Sequence, residues 1–318
     1  MRLVRAARAS TLLHDLLRSQ PSSGPWLLPA NVCPIVPLTF LKAGRVFEFV
    51  DIERETLCMD RAEALVRLRE APDRYAGLLF VRTYGLEDEF DEFFADIARV
   101  APPALLVDDR CLCPPSFAHP DAPVADVMLY STGYAKTVDV GFGGFAWLAD
   151  RVAHEPCEQP YREEDLERLT LAYKAAIKSE ERLASAPGDW LDTRPPALDL
   201  DEYRRFVERA LRESLTLKAR INRIYDEAIP ERVRLDDRFQ RWRYHLVVSD
   251  KRRLLAAIFE RGLFASSHYA DLTPVFAQGR SPVAARFHAS VVNLFNDRYF
   301  DEEKAGRIAA IVREHLGI

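Results

Sequence analysis

The sequence has no apolar run that approaches the roughly 18 residues of a membrane-spanning helix, and it has no excess of basic residues. Its 44 lysines and arginines are outnumbered by 49 aspartates and glutamates, which gives a formal net charge of -5. Nucleic-acid-binding proteins usually carry a basic stripe, so this balance argues against that class. We therefore expect neither a membrane nor a nucleic acid as partner.

Cysteines are few and odd in number: Cys33, Cys58, Cys111, Cys113 and Cys157. The C-x-C at 111–113 lacks the second pair of ligands that a zinc site requires. Because disulfides are rare in the reducing cytosol, we predict free, buried thiols, no metal and a cytoplasmic location.

The first twenty residues, MRLVRAARASTLLHDLLRSQ, are basic and then mildly apolar. Asp15 and Arg18 interrupt what would be the apolar core of a signal peptide, and no small-residue cleavage site follows. The segment therefore predicts an amphipathic helix, with leucines at helical spacing at positions 12, 13, 16 and 17.

Strand-like and helix-like segments alternate through the first half of the chain. The predicted strands are PWLLPA, RVFEFVDI, YAGLLFVRTYG, ALLVDD, DVMLYST and GGFAWLAD, and helices separate the first four. This alternation predicts an α/β fold with a mostly parallel sheet and helices on both faces. Two long charged helices follow from about Arg151, and the tail reads as a compact α+β unit. We expect a large domain at 1–190, then a long helix and a smaller C-terminal α+β domain at 191–318.

Polar side chains gather where the predicted strands end. Tyr84, Asp108, Asp109 and Ser131 fall at the carboxyl ends, where parallel sheets place functional groups. Lys136 follows in a connection rich in glycine. Alone, Asp109 is most simply a helix cap and Lys136 a half-buried surface side chain. Together with Ser131 they suit pyridoxal phosphate, which needs a counter-charge for its ring nitrogen, phosphate donors and a primary amine.

The sequence resembles, at these residues, the DegT-type sugar aminotransferases within the fold-type I pyridoxal-phosphate enzymes. YSTGYAKTVDVGFGG resembles the family's F-S-F-x-x-x-K-x-x-x-x-G-x-G-G, LLVDDRCLCPP resembles I-E-D-A-A-Q, and LLAAIFERGLFASSHY resembles L-x-x-x-G-I-x-x-x-x-H-Y. The ordered set of motifs covers nearly the whole chain. It implies a seven-stranded large-domain sheet, Lys136 as the Schiff-base lysine, Asp109 beside the pyridinium nitrogen and Ser131 as a phosphate ligand.

The same resemblance assigns further positions around the cofactor and the substrate. Ala9 and Ser10 stand at the family's Gly-Thr phosphate turn, and Leu112 stands where the family has Gln or His over the cofactor ring. The substrate contacts that it implies are Asn31, Tyr84, His268 and Tyr269.

The activity that the resemblance implies is transfer of an amino group from glutamate or glutamine to a keto-sugar linked to a nucleotide, in a homodimer. The family's Asn-x-Arg segment, which reaches the neighbouring subunit's phosphate, has no counterpart after the glycine loop. One alternative is therefore a degenerate relative that keeps the fold and has a binding or regulatory role. An unrelated α/β protein of different function is a second alternative.

Overall fold

The computed structural model describes residues 1–21, 24–121, 123–183 and 188–318. Seven strands form its larger sheet: β1 (Arg2–Ala6), β2 (Trp26–Pro29), β3 (Phe47–Val50), β4 (Gly77–Val81), β5 (Leu105–Asp109), β6 (Val127–Ser131) and β7 (Gly144–Leu148). They lie in the order β1-β7-β6-β5-β4-β2-β3. The pairings from β3 across to β6 are parallel, and only β7 and β1 pair antiparallel to their neighbours. The predicted mostly parallel, seven-stranded sheet is confirmed.

One set of helices accompanies the large sheet, and a second set accompanies a smaller sheet in the C-terminal part of the chain. The helices of the first half are α1 (Ala9–Ser19), α2 (Ile35–Lys42), α3 (Arg61–Glu70), α4 (Asp91–Val100) and α5 (Glu163–Ser179). The long α6 (Leu200–Ala228) leads to α7 (Lys251–Glu260), α8 (Thr273–Phe276), α9 (Pro282–His288) and α10 (Glu302–Leu316). Three antiparallel strands accompany them in the order β8-β10-β9: β8 (Tyr244–Val247), β9 (Ala265–Ser266) and β10 (Val291–Leu294). The predicted C-terminal α+β arrangement is therefore confirmed.

The N-terminal segment departs from the prediction of one amphipathic helix. Its first residues form β1, which pairs with β7 from Arg2 opposite Leu148 to Ala6 opposite Gly144. The helix begins only at Ala9 and buries Leu12 and Leu16 against the sheet. The prediction was wrong for residues 2–6 because their conformation depends on a partner strand more than 130 residues away in sequence.

The central strands are apolar because both of their faces are covered. All residues of β4, β5 and β6 are buried, which is typical of parallel strands between two layers. Leu129 of β6 belongs to the core that includes α1, whereas Met128 and Tyr130 pack in a second core with Tyr203 of α6. Side chains at alternate positions of β6 therefore point to opposite faces of the sheet.

Helix α6 joins the large sheet to the smaller one. Near its start, Tyr203 and Val207 pack against the large sheet, and further along Ile221 and Tyr225 enter the core around β8 and β10. The domain boundary at 190/191 stays a prediction. The Pro/Gly-rich stretch before α6 includes residues 184–187, which lie outside the described residues.

Two other features bear on the sequence predictions. All five cysteines are free thiols, as predicted, but the predicted burial is right only for Cys58 and Cys113 and wrong for the other three, which are half-buried. Over the described parts of the chain, no helix combines the length and the apolarity that crossing a membrane would require.

Candidate active site

A cavity of about 400 Å³ opens at the carboxyl ends of β5 and β6, on the face of the sheet that α1 covers. Asp109 lies opposite Leu129 in the register of β5 and β6, and strand alternation puts Ser131 on the same face as Leu129. Helices α2 and α5 and the segment 190–192 form the other walls. A concave site of this size suits a small organic ligand.

Five of the ten sequence-predicted site residues line this cavity. They are Ala9, Ser10, Asp109, Ser131 and Lys136. The structure thus brings together residues from β5, from β6, from the loop after β6 and from the first turn of α1. These residues are up to 127 positions apart in sequence (Ala9 to Lys136) and meet only in the folded chain.

Asp109 ends β5 inside the cavity wall, and it is only 5% exposed. The Cys111 amide donates to Asp109 Oδ1 at 2.9 Å, and the Cys111 thiol lies beside the same carboxylate. Burial raises the pKa of Asp109, and the Cys111 hydrogen bonds and the charge of Lys136 oppose this rise. The carboxylate would therefore gain from a cationic group placed next to it.

Lys136 is half-buried, and its ammonium makes no hydrogen bond or ion pair within the described parts of the chain. The preceding residue, Ala135, has a left-handed backbone with φ of +57°. Its amide donates to Asp139 Oδ2 at 2.9 Å, and its carbonyl accepts from Trp242 Nε1 at 2.7 Å. These two bonds fix the backbone on the N-terminal side of the lysine.

The residue after the lysine is held equally firmly. The Thr137 hydroxyl donates to the carbonyl of Leu112, and the Thr137 carbonyl accepts from Ser214 Oγ at 2.7 Å. Lys136 thus has a fixed backbone and an unpaired amine that faces the cavity. That combination is what a lysine needs to react with a carbonyl compound.

Donors for an anion gather at the other end of the cavity. Ser131 is 6% exposed, and its Oγ accepts only a long hydrogen bond of 3.4 Å, from the Gly133 amide, within the described residues. Ser10 lies in the first turn of α1, whose N-cap Arg8 makes no side-chain cap bond. Helix N-termini favour negative charge because their first amides are unpaired and their dipole is positive there.

The glycine loop that follows Lys136 brings β7 into close contact with α1. A Cβ on Gly144 would lie 2.4 Å from the Ala9 nitrogen, and a Cβ on Gly143 would lie 2.6 Å from the Tyr203 hydroxyl. Gly143 also has φ of +89°. The sequence prediction that these glycines permit close approach and positive φ is therefore confirmed.

Substitution Gly144→Ala should destabilise the protein by roughly 1–3 kcal/mol, the usual cost of overpacking a core. The added methyl group would collide with backbone atoms of Ala9, which cannot move without displacing α1. Urea unfolding measures the effect. Gly306→Ala in α10 is the matched control, since a Cβ there meets nothing within 4 Å; an equal loss in both variants would contradict the steric explanation.

The other five sequence-predicted residues lie outside the cavity lining. Leu112 is buried and contributes its carbonyl to the Thr137 bond, and Asn31 donates to the Leu57 carbonyl at 2.9 Å. The remaining three belong to a ring cluster next to the cavity wall: Tyr84, His268 and Tyr269.

Two of the three rings in this cluster, those of Tyr84 and Tyr269, are buried, and His268 is half-buried. Tyr84 is completely buried, its ring lies 3.9 Å from that of His245, and its hydroxyl donates to the His268 carbonyl. Burial lowers the pKa of His268 to about 3, so its ring is neutral at physiological pH. In this structure Tyr84 and His268 support the wall rather than form it.

The cavity also has a wall that the sequence patterns did not reveal as functional. Leu166, Thr170 and Tyr173 of α5 line it, together with Tyr161 and the buried Trp190. The charged residues of α5 had indicated a solvated helix. The spacing of Leu166, Thr170 and Tyr173, four and then three residues, was the available signal that one face of α5 is half-buried against the cavity.

No protein-family model and no curated protein matches the sequence. Solved structures match over almost all of it. The whole chain aligns with 87% of a DegT/DnrJ/EryC1/StrS aminotransferase from Brucella abortus, with a TM-score of 0.68 at 18% identity. It aligns equally completely with 87% of Spr1654 from Streptococcus pneumoniae in its PMP form, with a TM-score of 0.71 at 16% identity. The chain has the fold of the DegT-type sugar aminotransferases.

A third solved structure extends the likeness to a protein crystallised with a ligand. DesI, crystallised in the presence of its TDP-sugar product, aligns with 99% of this chain over 80% of its own length, with a TM-score of 0.70 and 15% identity. The fold-level resemblance drawn from the sequence motifs is therefore confirmed.

Proposed function

We propose that this protein is a pyridoxal-phosphate-dependent aminotransferase that moves an amino group from glutamate or glutamine to a nucleotide-linked keto-sugar. The observation that carries the proposal is the meeting of Asp109, Ser131 and Lys136 in one cavity. Each supplies a different chemical function, and a structural role alone gives no reason for all three to face the same space. The solved sugar aminotransferases of the same fold support it.

The residues present fit pyridoxal phosphate. Lys136 offers an unpaired primary amine, Asp109 a buried carboxylate, and Ser131 with the first turn of α1 a set of donors for the phosphate. Bound there, the cofactor would supply a carbonyl that condenses with amines and a ring that accepts electrons.

Lys136 would hold the cofactor and afterwards move a proton. With the cofactor and an amino donor bound, the Lys136 amine would be placed to take a proton at Nζ and to return it. A positioned general base of this kind typically contributes about 10²- to 10⁴-fold to the rate. The hydrogen bonds of Ala135 and Thr137 keep the amine in reach throughout.

Asp109 would keep the ring nitrogen protonated. Its carboxylate is buried and its pKa is raised by that burial, so a cationic nitrogen beside it relieves an unfavourable charge. The ion pair between the Asp109 carboxylate and the ring nitrogen would favour binding, because each group supplies the counter-ion that the other lacks.

The aromatic wall is suited to a sugar acceptor. Tyr134 is 72% exposed at the cavity edge, and Tyr161 and Tyr173 are half-buried beside it. Such rings combine apolar faces, which pack on sugar C–H groups, with hydroxyls that can hydrogen-bond. A homodimer and a cytoplasmic location belong to the same proposal.

The test of this proposal is spectroscopic. Purified protein mixed with pyridoxal phosphate should develop a visible absorption band, and glutamate or glutamine should bleach it. Absence of the band at every pH would exclude the enzyme. A band that no amino donor bleaches would favour the alternative, a cofactor-binding protein with a regulatory role.

A further inference from the structure

We infer that Arg8 supplies, from the same chain, the positive charge that binds the phosphate of the cofactor. The inference rests on the proposed function and concerns a residue that the sequence motifs did not single out. Arg8 lines the cavity together with Ser10 and Ser131. It stands directly before α1, where its carbonyl accepts from the Thr11 and Leu12 amides.

The backbone and side chain of Arg8 are both held in place. The backbone is extended, with φ of -144° and ψ of 152°, and it bridges to Gly143 in the loop before β7. The guanidinium Nη1 donates to the Gly141 carbonyl at 2.7 Å. This bond fixes the side chain beside the glycine loop, at the end of the cavity where Ser10 and Ser131 lie.

Gly133 marks the place where the guanidinium and the Ser131 hydroxyl come together. A Cβ on Gly133 would lie 3.5 Å from Arg8 Nη1 and 3.6 Å from Ser131 Oγ. The cation and the buried hydroxyl thus flank one point in space. Residue 133 has no side chain that would separate the two atoms, so two oxygens of one phosphate group could each contact one of them.

The charge of Arg8 is available for a ligand. Among the described residues its guanidinium forms no ion pair, and the only hydrogen bond of its side chain is the one to the Gly141 carbonyl. Asp192 lines the same cavity and is close enough for the charge of Arg8 to help lower its pKa, but both of its carboxylate oxygens accept from Arg194, at 2.8 Å each. A guanidinium has five N–H donors, so Arg8 keeps enough of them for a two-pronged contact with a phosphate.

A phosphate needs such a cation here. The Ser131 hydroxyl is neutral, and the N-terminus of α1 offers only about half a positive charge. A phosphate ester carries close to two negative charges at neutral pH. The motif that would bring an arginine from a neighbouring subunit is absent from the sequence after the glycine loop, and Arg8 can take over its charge within one chain.

The contribution of Arg8 to phosphate binding can be measured by comparing two ligands that differ only in the phosphate group. Dissociation constants for pyridoxal phosphate and for pyridoxal, which lacks the phosphate, would be measured by fluorescence titration with wild type, Arg8→Gln, Arg8→Lys and Arg18→Gln. Arg8→Gln should weaken pyridoxal phosphate binding by about 10- to 100-fold, as expected for loss of a charged hydrogen bond, and leave pyridoxal binding within about twofold. Arg8→Lys should lose less, because it keeps the charge but not the planar fork.

Arg18→Gln is the matched control, since it removes an exposed arginine from the other end of α1 and should change neither constant. Unchanged pyridoxal binding also shows that Arg8→Gln folds. If Arg8→Gln binds pyridoxal phosphate as tightly as wild type, or loses both ligands equally, the inference about Arg8 is wrong while the proposed function stands. If wild type binds neither ligand, the proposed function itself is wrong, and the inference falls with it.

Discussion

Substitution of Lys136 by alanine is expected to abolish covalent capture of pyridoxal phosphate and to lower turnover by about 10⁴-fold or more. Among the described residues that line the cavity, Lys136 carries the only primary amine. Its neighbours Ala135 and Thr137 are fixed by hydrogen bonds to distant parts of the chain, so the backbone that carries this amine is held in place beside the cavity.

Borohydride reduction followed by peptide mass spectrometry measures the capture directly. Wild type should carry one cofactor on the peptide that contains Lys136, and Lys136→Ala should carry none. Lys178→Ala, at the exposed end of α5, is the matched control and should be labelled like wild type. Stoichiometric labelling of the Lys136→Ala variant at another lysine would show that the cofactor is held elsewhere.

The strand-end residues could be predicted from the sequence because the information is local. LLVDD and DVMLYST read as buried strands, and parallel strands in one sheet bring their carboxyl ends to one edge. Asp109 and Ser131 therefore had to be neighbours once the alternation of strands and helices was recognised. Lys136 followed from its fixed distance behind Ser131.

The parts that escaped prediction depend on contacts between distant segments. Residues 2–6 form a strand only because β7 offers an open edge. Tyr84 sits at a strand end, yet its ring is buried by Trp242 and His245, which come about 160 residues later. Arg8 lines the cavity, and its guanidinium binds the carbonyl of Gly141, which lies 133 residues later in the sequence. None of these contacts has a short-range sequence signal.

Substitution Asp109→Asn is expected to lower turnover and, at the same time, to stabilise the cofactor-free protein. Turnover should fall by about 10²- to 10³-fold, because the ring nitrogen loses its fixed counter-charge. The cofactor-free protein should nevertheless become more stable at pH 7. Burial raises the pKa of Asp109 in the folded state, which means that the folded protein is destabilised when this carboxyl is charged. Asparagine cannot become charged, so the variant avoids this loss of stability at pH 7.

The pH dependence gives this prediction its sign. Below the unfolded-state pKa of about 4 the carboxyl is protonated in both states, and wild type and Asp109→Asn should be similar. As the pH rises through the folded-state pKa, wild type loses the stability that the protonated form provides, whereas asparagine stays neutral. The stability advantage of the cofactor-free variant should therefore grow with pH.

Urea unfolding of both cofactor-free proteins between pH 5 and pH 8 measures this difference, and the neighbouring aspartate supplies the comparison. Asp108 is completely buried, but it binds Arg82 at 2.8 Å and Arg110 at 2.7 Å. Asp108→Asn should destabilise the protein by about 3–5 kcal/mol, since it leaves the buried guanidinium of Arg82 and the partly buried one of Arg110 without a counter-ion. The Asn substitutions of Asp108 and Asp109 should thus change the free energy of unfolding in opposite directions. Asp108 is paired with cations of the protein itself, whereas the cation proposed to pair with Asp109 belongs to the cofactor. A loss of stability in Asp109→Asn that matches the loss in Asp108→Asn would mean that Asp109 has a structural partner and is not held ready for a cofactor.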